Sequence, residues 1–211
     1  VCAPDEFYER LIIFAKEHDI IIIHDNAYSD IIYTRKQGRS FLSFDGAKEV
    51  GVEFYSLSKS FNLTGARISF VVGNKQIINK LKVFRSQIDY GVFLPVQYAA
   101  IAALTGPLDV VEEQRQEYEK RNKMLCGGLR SIGWDVPDSQ GTMFVWAKIP
   151  GKYKSSVEFC LDLMEKTGVI VTPGNAFGSR GEGYVRMALV VGEETISELL
   201  SVLEESNIFS K

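Results

Sequence analysis

The chain has 211 residues, 45% of them hydrophobic and 24% charged, and its 24 basic residues against 27 acidic ones leave a formal charge of -3. That composition excludes a disordered tail and a disulfide-stapled miniprotein, and the lack of a positive excess argues against nucleic acid or an anionic membrane as the main partner. Cys2, Cys126 and Cys160 are odd in number and in no C-x-x-C spacing, which excludes a paired framework and a four-cysteine zinc site and leads us to expect a reduced, cytoplasmic protein. No apolar run approaches the ~18 residues needed to span a bilayer, and the N-terminus lacks the basic-then-apolar layout of a secretory signal. The first residue is Val1, without an initiator methionine, and a helical pattern follows almost at once. The sequence therefore reads as starting inside a longer protein.

In chain order, Phe7, Leu11, Phe14 and Ala15 fall at offsets 0, 4, 7 and 8, the stripe of an amphipathic helix whose first turn Pro4 suits. Ile20 to Ile23 is a continuous β-branched run, expected as a strand covered on both faces in a parallel sheet. Val52 to Leu57 and Ile68 to Val72 follow as strands, Ile77 to Ile88 and Val96 to Leu104 as helices. Helix, strand, connection, strand is α/β grammar. The polar stretch Asp109 to Arg130 predicts a solvated helix, so the chain divides into a first region 1–108, a linking helix 109–131 and a small α+β domain 132–211. In that last region Met143 to Ala147, Val169 to Thr172 and Tyr184 to Leu189 read as strands. Ser155-x-x-Glu158 and Thr195-x-x-Glu198 have the spacing of capping boxes ahead of two helices. His18 and His24 lie in no metal spacing with the cysteines and are expected to be structural. Trp134 and Trp146 are expected to be core or domain-edge aromatics.

Ligands of open α/β sheets sit at the carboxyl ends of the strands, which directs attention to Asp25, Tyr28, Ser56, Ser58 and Lys59. Taken singly each has an ordinary reading: a turn aspartate, a packed tyrosine, a solvated lysine. The cluster is more specific. Ser56-Leu57-Ser58-Lys59-Ser60-Phe61-Asn62-Leu63-Thr64-Gly65-Ala66-Arg67 resembles the S-x-S-K-x-[aromatic]-x-[apolar]-x-G-x-R signature of the class I/II aminotransferases, pyridoxal-phosphate enzymes of fold type I. Asp25-Asn26-Ala27-Tyr28 is similar to the family's D-x-x-Y, Gly183-Tyr184-Val185-Arg186 to its carboxylate-binding arginine motif, and Pro173-Gly174-Asn175-Ala176-Phe177-Gly178 to its P-G-x-x-F-G loop.

The resemblance implies an α/β fold, here an incomplete large domain of a fold type I transferase, residues 1–108 being the C-terminal portion of its cofactor-binding region, followed by the small C-terminal domain. It implies pyridoxal 5′-phosphate as cofactor, bonded to the amine of Lys59, which would then carry a proton between substrate and cofactor. Asp25 would keep the pyridine nitrogen protonated and Tyr28 would hydrogen-bond the phenolic oxygen. Ser56 and Arg67, with Ser58 as a further donor, would hold the phosphate. Arg186 would clamp the substrate's α-carboxylate. By itself that arginine fits the wet face of a strand equally well.

Relatives are homodimers with shared active sites, so a homodimer is implied, and the segment Gln87 to Gln97 with Tyr90, Phe93 and Pro95 corresponds to a region that reaches the partner's site. The family's glycine-containing phosphate loop, ring-stacking aromatic and ring-facing asparagine have no counterpart in these residues. The few strands here would leave an edge and one apolar face uncovered, and the 211 residues alone are expected to bind cofactor weakly and turn over negligibly. The implied activity is transamination between an amino acid and a 2-oxo acid. Finer text, Gly65 to Phe70 and Ser139 to Trp146, resembles bacterial aspartate/alanine-type enzymes and the LL-diaminopimelate branch. A pyridoxal-phosphate C–S β-lyase on the same fold and a non-catalytic fragment or interaction module stay open alongside it.

Overall fold

The structure, a computed structural model, describes residues 2–34 and 38–209. It divides into two compact units, Val1–Arg115 and Gln116–Lys211.

In the first unit, α1 (Asp5–Glu17) is followed by β1 (Ile22–Asp25), a short α2 (Ala47–Val50), β2 (Gly51–Ser56), the single turn α3 (Leu57–Ser60), β3 (Ser69–Gly73), α4 (Lys75–Arg85) and α5 (Leu94–Thr105). β2 is the centre of a three-stranded sheet, parallel to β1 and antiparallel to β3. Helix α1 is entered from Pro4, which is extended and sits one position before the first helical residue rather than inside the turn. It buries Ile12 and Ala15, with Ile12 and Tyr8 packed on Phe41 and Ala47. The expected stripe is therefore rotated, because Phe7 and Phe14 lie on the exposed face while the Phe41 cluster claims the next one. The first strand begins two residues later than the β-branched run, and it is covered on one face only: Ile23 remains 68% exposed. Exposed Ile21, Phe70 and Val72 belong to the same sheet region, and Tyr90, Phe93 and Tyr98 stand exposed beyond it. This is the uncovered apolar surface that a three-stranded sheet of these residues must leave.

The helix α6 (Asp109–Ser131) contains the division between the units. Its surface carries Glu112–Arg115, Glu117–Arg121 and Glu119–Lys123 pairs one turn apart.

The second unit holds β4 (Phe144–Lys148), α7 (Ser156–Thr167), β5 (Thr172–Pro173), β6 (Tyr184–Ala188) and α8 (Glu193–Glu205). Its sheet runs β4-β6-β5, all antiparallel. Trp134 is buried, stacked on Phe209 at 4.7 Å, and donates its indole N–H to the Lys148 carbonyl at 2.7 Å. Ser155 caps α7 by accepting the Glu158 N–H, but the Glu158 carboxylate reaches back to the N–H of Lys154 rather than to that of Ser155. The Thr195 box does not form. Helix α8 is entered from Gly192 and Thr195 is already inside its first turn. Of the strand expected over Val169 to Thr172 only Thr172 pairs, continued by Pro173. Among the described residues no single helix is long and apolar enough to cross a membrane, and no group of three His, Cys, Asp or Glu is placed to hold a metal.

Candidate active site

Because β1 and β2 are parallel, their carboxyl ends open on one edge of the sheet. Asp25 ends β1 in register with Phe54, its side chain exposed. The Asn26 N–H still donates to the Phe54 carbonyl at 2.9 Å, after which the chain turns and Tyr28 follows. β2 ends at Ser56, whose Oγ accepts the N–H of Ser58 at 3.2 Å and so starts α3. That one turn carries Lys59 out of the sheet, and its amine stands 6.0 Å from the centre of the Tyr28 ring. A four-residue helix cannot satisfy its own last carbonyls. Here Thr64 Oγ1 donates to the Ser58 carbonyl at 2.9 Å and Gln114 Nε2 to that of Lys59 at 2.8 Å.

The segment returning to β3 places Arg67 two residues before Ser69, the register partner of Ser56. Arg67 adopts left-handed backbone at φ 52°, costing a non-glycine residue about 1–2 kcal/mol. Its exposed guanidinium donates to the Thr64 carbonyl at 3.2 Å. Asp25, Tyr28, Ser56, Ser58, Lys59 and Arg67 therefore come from three strand ends onto one edge.

Arg186 lies in the second unit, on β6 opposite Trp146 and Thr172. Its guanidinium is held between two rings, 4.2 Å from the centre of Phe144 and 4.3 Å from that of Phe177. Within its unit no described carboxylate pairs with it. Aromatic faces shield the flat sides of a guanidinium and leave the N–H edge for an incoming planar anion. The turn that carries Phe177 begins at Gly174, whose carbonyl oxygen approaches Gly181 too closely to admit a β-carbon there.

Two polar clusters escape the sequence reading. The buried Glu53 carboxylate faces His24 Nδ1 at 2.9 Å and accepts from Asn26 Nδ2 at 3.1 Å, Ser40 Oγ at 2.9 Å and the Phe41 N–H at 2.7 Å. Burial alone would raise its pKa, but the hydrogen bonds from His24, Asn26 and Ser40 outweigh it and hold the carboxyl below the usual range. The signal was a carboxylate inside an apolar strand, which demands a partner. The second cluster joins Asp30, Tyr55 and Ser60.

Against known proteins, the chain matches the family Aminotransferase class I and II over residues 1–203. It is 50% identical over 206 residues to the LL-diaminopimelate aminotransferase of Halothermothrix orenii, an alignment covering 98% of this chain and 53% of that protein. To the glutamate-pyruvate aminotransferase AlaC of Escherichia coli it is 41% identical over 201 residues, covering 94% of this chain and 49% of AlaC. Among solved structures, substrate-bound BacF from Bacillus subtilis superposes with a TM-score of 0.94 at 38% identity, covering 98% of this chain and 52% of BacF. The chain belongs to the class I and II aminotransferase family. It spans about half the length of the curated relatives it matches.

That family depends on pyridoxal phosphate. The cofactor presents a ring nitrogen, a phenolic oxygen, an aldehyde and a phosphate. On one sheet edge the first unit offers a carboxylate, a phenol, an amine, and two serines with a guanidinium. In the chemistry of its donors this set fits the group.

Proposed function

We propose that the chain carries the catalytic lysine of a pyridoxal-phosphate-dependent aminotransferase, which moves an amino group between an amino acid and a 2-oxo acid. In this reading the Asp25 carboxylate takes the ring nitrogen's N–H and Tyr28 donates to the phenolic oxygen. The hydroxyls of Ser56 and Ser58 and the fork of Arg67 hold the phosphate. The amine of Lys59 would hold the aldehyde end of the cofactor and, when free, would move a proton at the substrate's Cα. Arg186 takes the substrate's α-carboxylate on the edge that Phe144 and Phe177 leave open. When bound, the cofactor supplies an electron sink for the carbanion at Cα. The observation that carries the reading is the Lys59 amine standing beside the Tyr28 ring, at the sheet edge where Asp25 ends the neighbouring parallel strand.

A homodimer belongs to the same reading, supported by the exposed aromatic residues Tyr90, Phe93 and Tyr98. A cytoplasmic setting is supported by three cysteines that form no disulfide. The names of the relatives favour a diaminopimelate or glutamate type of donor.

The test is reduction of the protein with borohydride in the presence of pyridoxal phosphate, followed by peptide mass analysis. The adduct is expected on Lys59 and is lost in Lys59→Ala; an adduct spread evenly over the exposed lysines overturns the assignment. Spectra with diaminopimelate, glutamate, alanine and aspartate then separate the chemistries. Formation of the pyridoxamine form supports amino transfer, whereas pyruvate and thiol release from a thioether substrate without it supports a lyase.

A further inference from the structure

The Asp30 carboxylate is the buried charged group nearest in sequence to the candidate site that the proposed chemistry does not use. It is only 8% exposed, and both Tyr55 and Ser60 donate their hydroxyl protons to its Oδ2. The two hydroxyl oxygens are themselves 2.7 Å apart, closing a triangle of three oxygens. Burial first, and then the hydrogen bond to Asp30, keep the Tyr55 phenol protonated far above the ordinary range, so Tyr55 acts here as a donor.

The positions of the three residues matter more than their number. Tyr55 directly precedes Ser56, and Ser60 directly follows Lys59, so the two donors bracket the segment that holds Ser56, Ser58 and Lys59. Asp30 ends the turn of residues 27–30, which contains Tyr28 and follows the strand that ends at Asp25. One carboxylate thus ties both ends of the lysine-bearing turn to the loop that carries the ring-facing residues. A single helical turn has no cooperative stability of its own, and its place must come from such ties.

We propose that Asp30 is a positioning residue, which through Tyr55 and Ser60 sets the Lys59 amine against Tyr28. The inference rests on the reading of Lys59 as the cofactor-bearing amine, but the tie itself can be measured without cofactor. Asp30→Asn keeps the shape and presents a neutral amide to two hydroxyl donors. Asp30→Glu keeps the charge, and a cavity of about 400 Å³ lined by Asp30, Tyr55, Phe61 and Phe70 leaves room for the added methylene.

Two readouts are needed on the full chain, with circular dichroism as the check on folding. Amide hydrogen exchange over residues 56–61, without cofactor, is expected to quicken about tenfold in Asp30→Asn, the difference between a charge-assisted and a neutral hydrogen bond, and to return towards wild type in Asp30→Glu. The ratio of borohydride-trapped pyridoxal phosphate on Lys59 to that on exposed Lys80 is expected to fall by a similar factor in Asp30→Asn and to recover in Asp30→Glu. Unchanged exchange and an unchanged labelling ratio in Asp30→Asn overturn the proposal. Quickened exchange with no preferential labelling of Lys59 even in wild type supports the tie and defeats the cofactor reading instead. Should Asp30→Asn fail to fold, Tyr55→Phe and Ser60→Ala, which each remove one donor, must show the same two effects in part; if neither does, the proposal falls.

Discussion

Replacing Glu53 by glutamine removes one charge and almost no volume from the buried junction between β1 and β2. Its Oε2 faces His24, Ser40 and the Phe41 N–H at 2.7–2.9 Å, while Oε1 accepts from Asn26. The glutamine oxygen belongs on the Oε2 side, where three charge-assisted bonds become neutral ones at a cost of about 1 kcal/mol each. Its amide nitrogen then meets the Asn26 amide, which must flip to accept. The smaller desolvation cost of a neutral side chain offsets part of this, leaving a net loss of about 2–3 kcal/mol, or roughly 30- to 150-fold faster local opening. Hydrogen exchange over 22–26, 40–42 and 51–56 at neutral pH measures it directly. The same residue has a pH signature. A carboxyl whose folded pKa lies below its unfolded value contributes stability that is fully present above about 4.3 and is lost as pH falls through the folded value. The gap between wild type and Glu53→Gln should therefore close on acidification. An exchange difference below threefold at neutral pH, or one that stays constant down to pH 3, refutes the reasoning.

Gly181→Ala should be costly well beyond its one added carbon, because the new atom collides with the Gly174 carbonyl and backbone rather than side chain must move; overpacking of this kind costs about 1–3 kcal/mol. Trp134 and Trp146, both in the second unit, report its urea midpoint by fluorescence, and an unshifted midpoint would contradict the packing described. Cys126 is buried, its thiol pushed up to about 11 mainly by that burial. At pH 7 only about one molecule in ten thousand carries the thiolate, so maleimide should label Cys126 at least about a hundredfold more slowly in the folded protein than in urea. Equal rates would place that thiol at the surface.

Much of the candidate site was legible along the chain because its residues are local in sequence. Ser56, Ser58 and Lys59 sit within four positions and Asp25 and Tyr28 within another four, each at the end of an apolar run. Strand ends and turns are marked by short-range chemistry, and so α4, α5, α6 and the Ser155 cap could also be read from spacing. What a helix or strand faces is not local. The stripe on α1 holds at Ala15 but was misassigned at Phe7 and Phe14, because Phe41 and Ala47, far along the chain, select the face that is buried. The Thr195 box failed because Gly192 begins the helix a turn earlier. Likewise Glu53, Asp30 and Arg186 have partners 9 to 42 residues away. Sequence by itself thus determined the elements, the chemical inventory and the family, since those depend on residue type and near spacing. Only tertiary structure decided which charges are paired, which apolar faces are covered and how the lysine turn is held, because hydrogen bonds and packing act between groups that the chain separates and folding brings together.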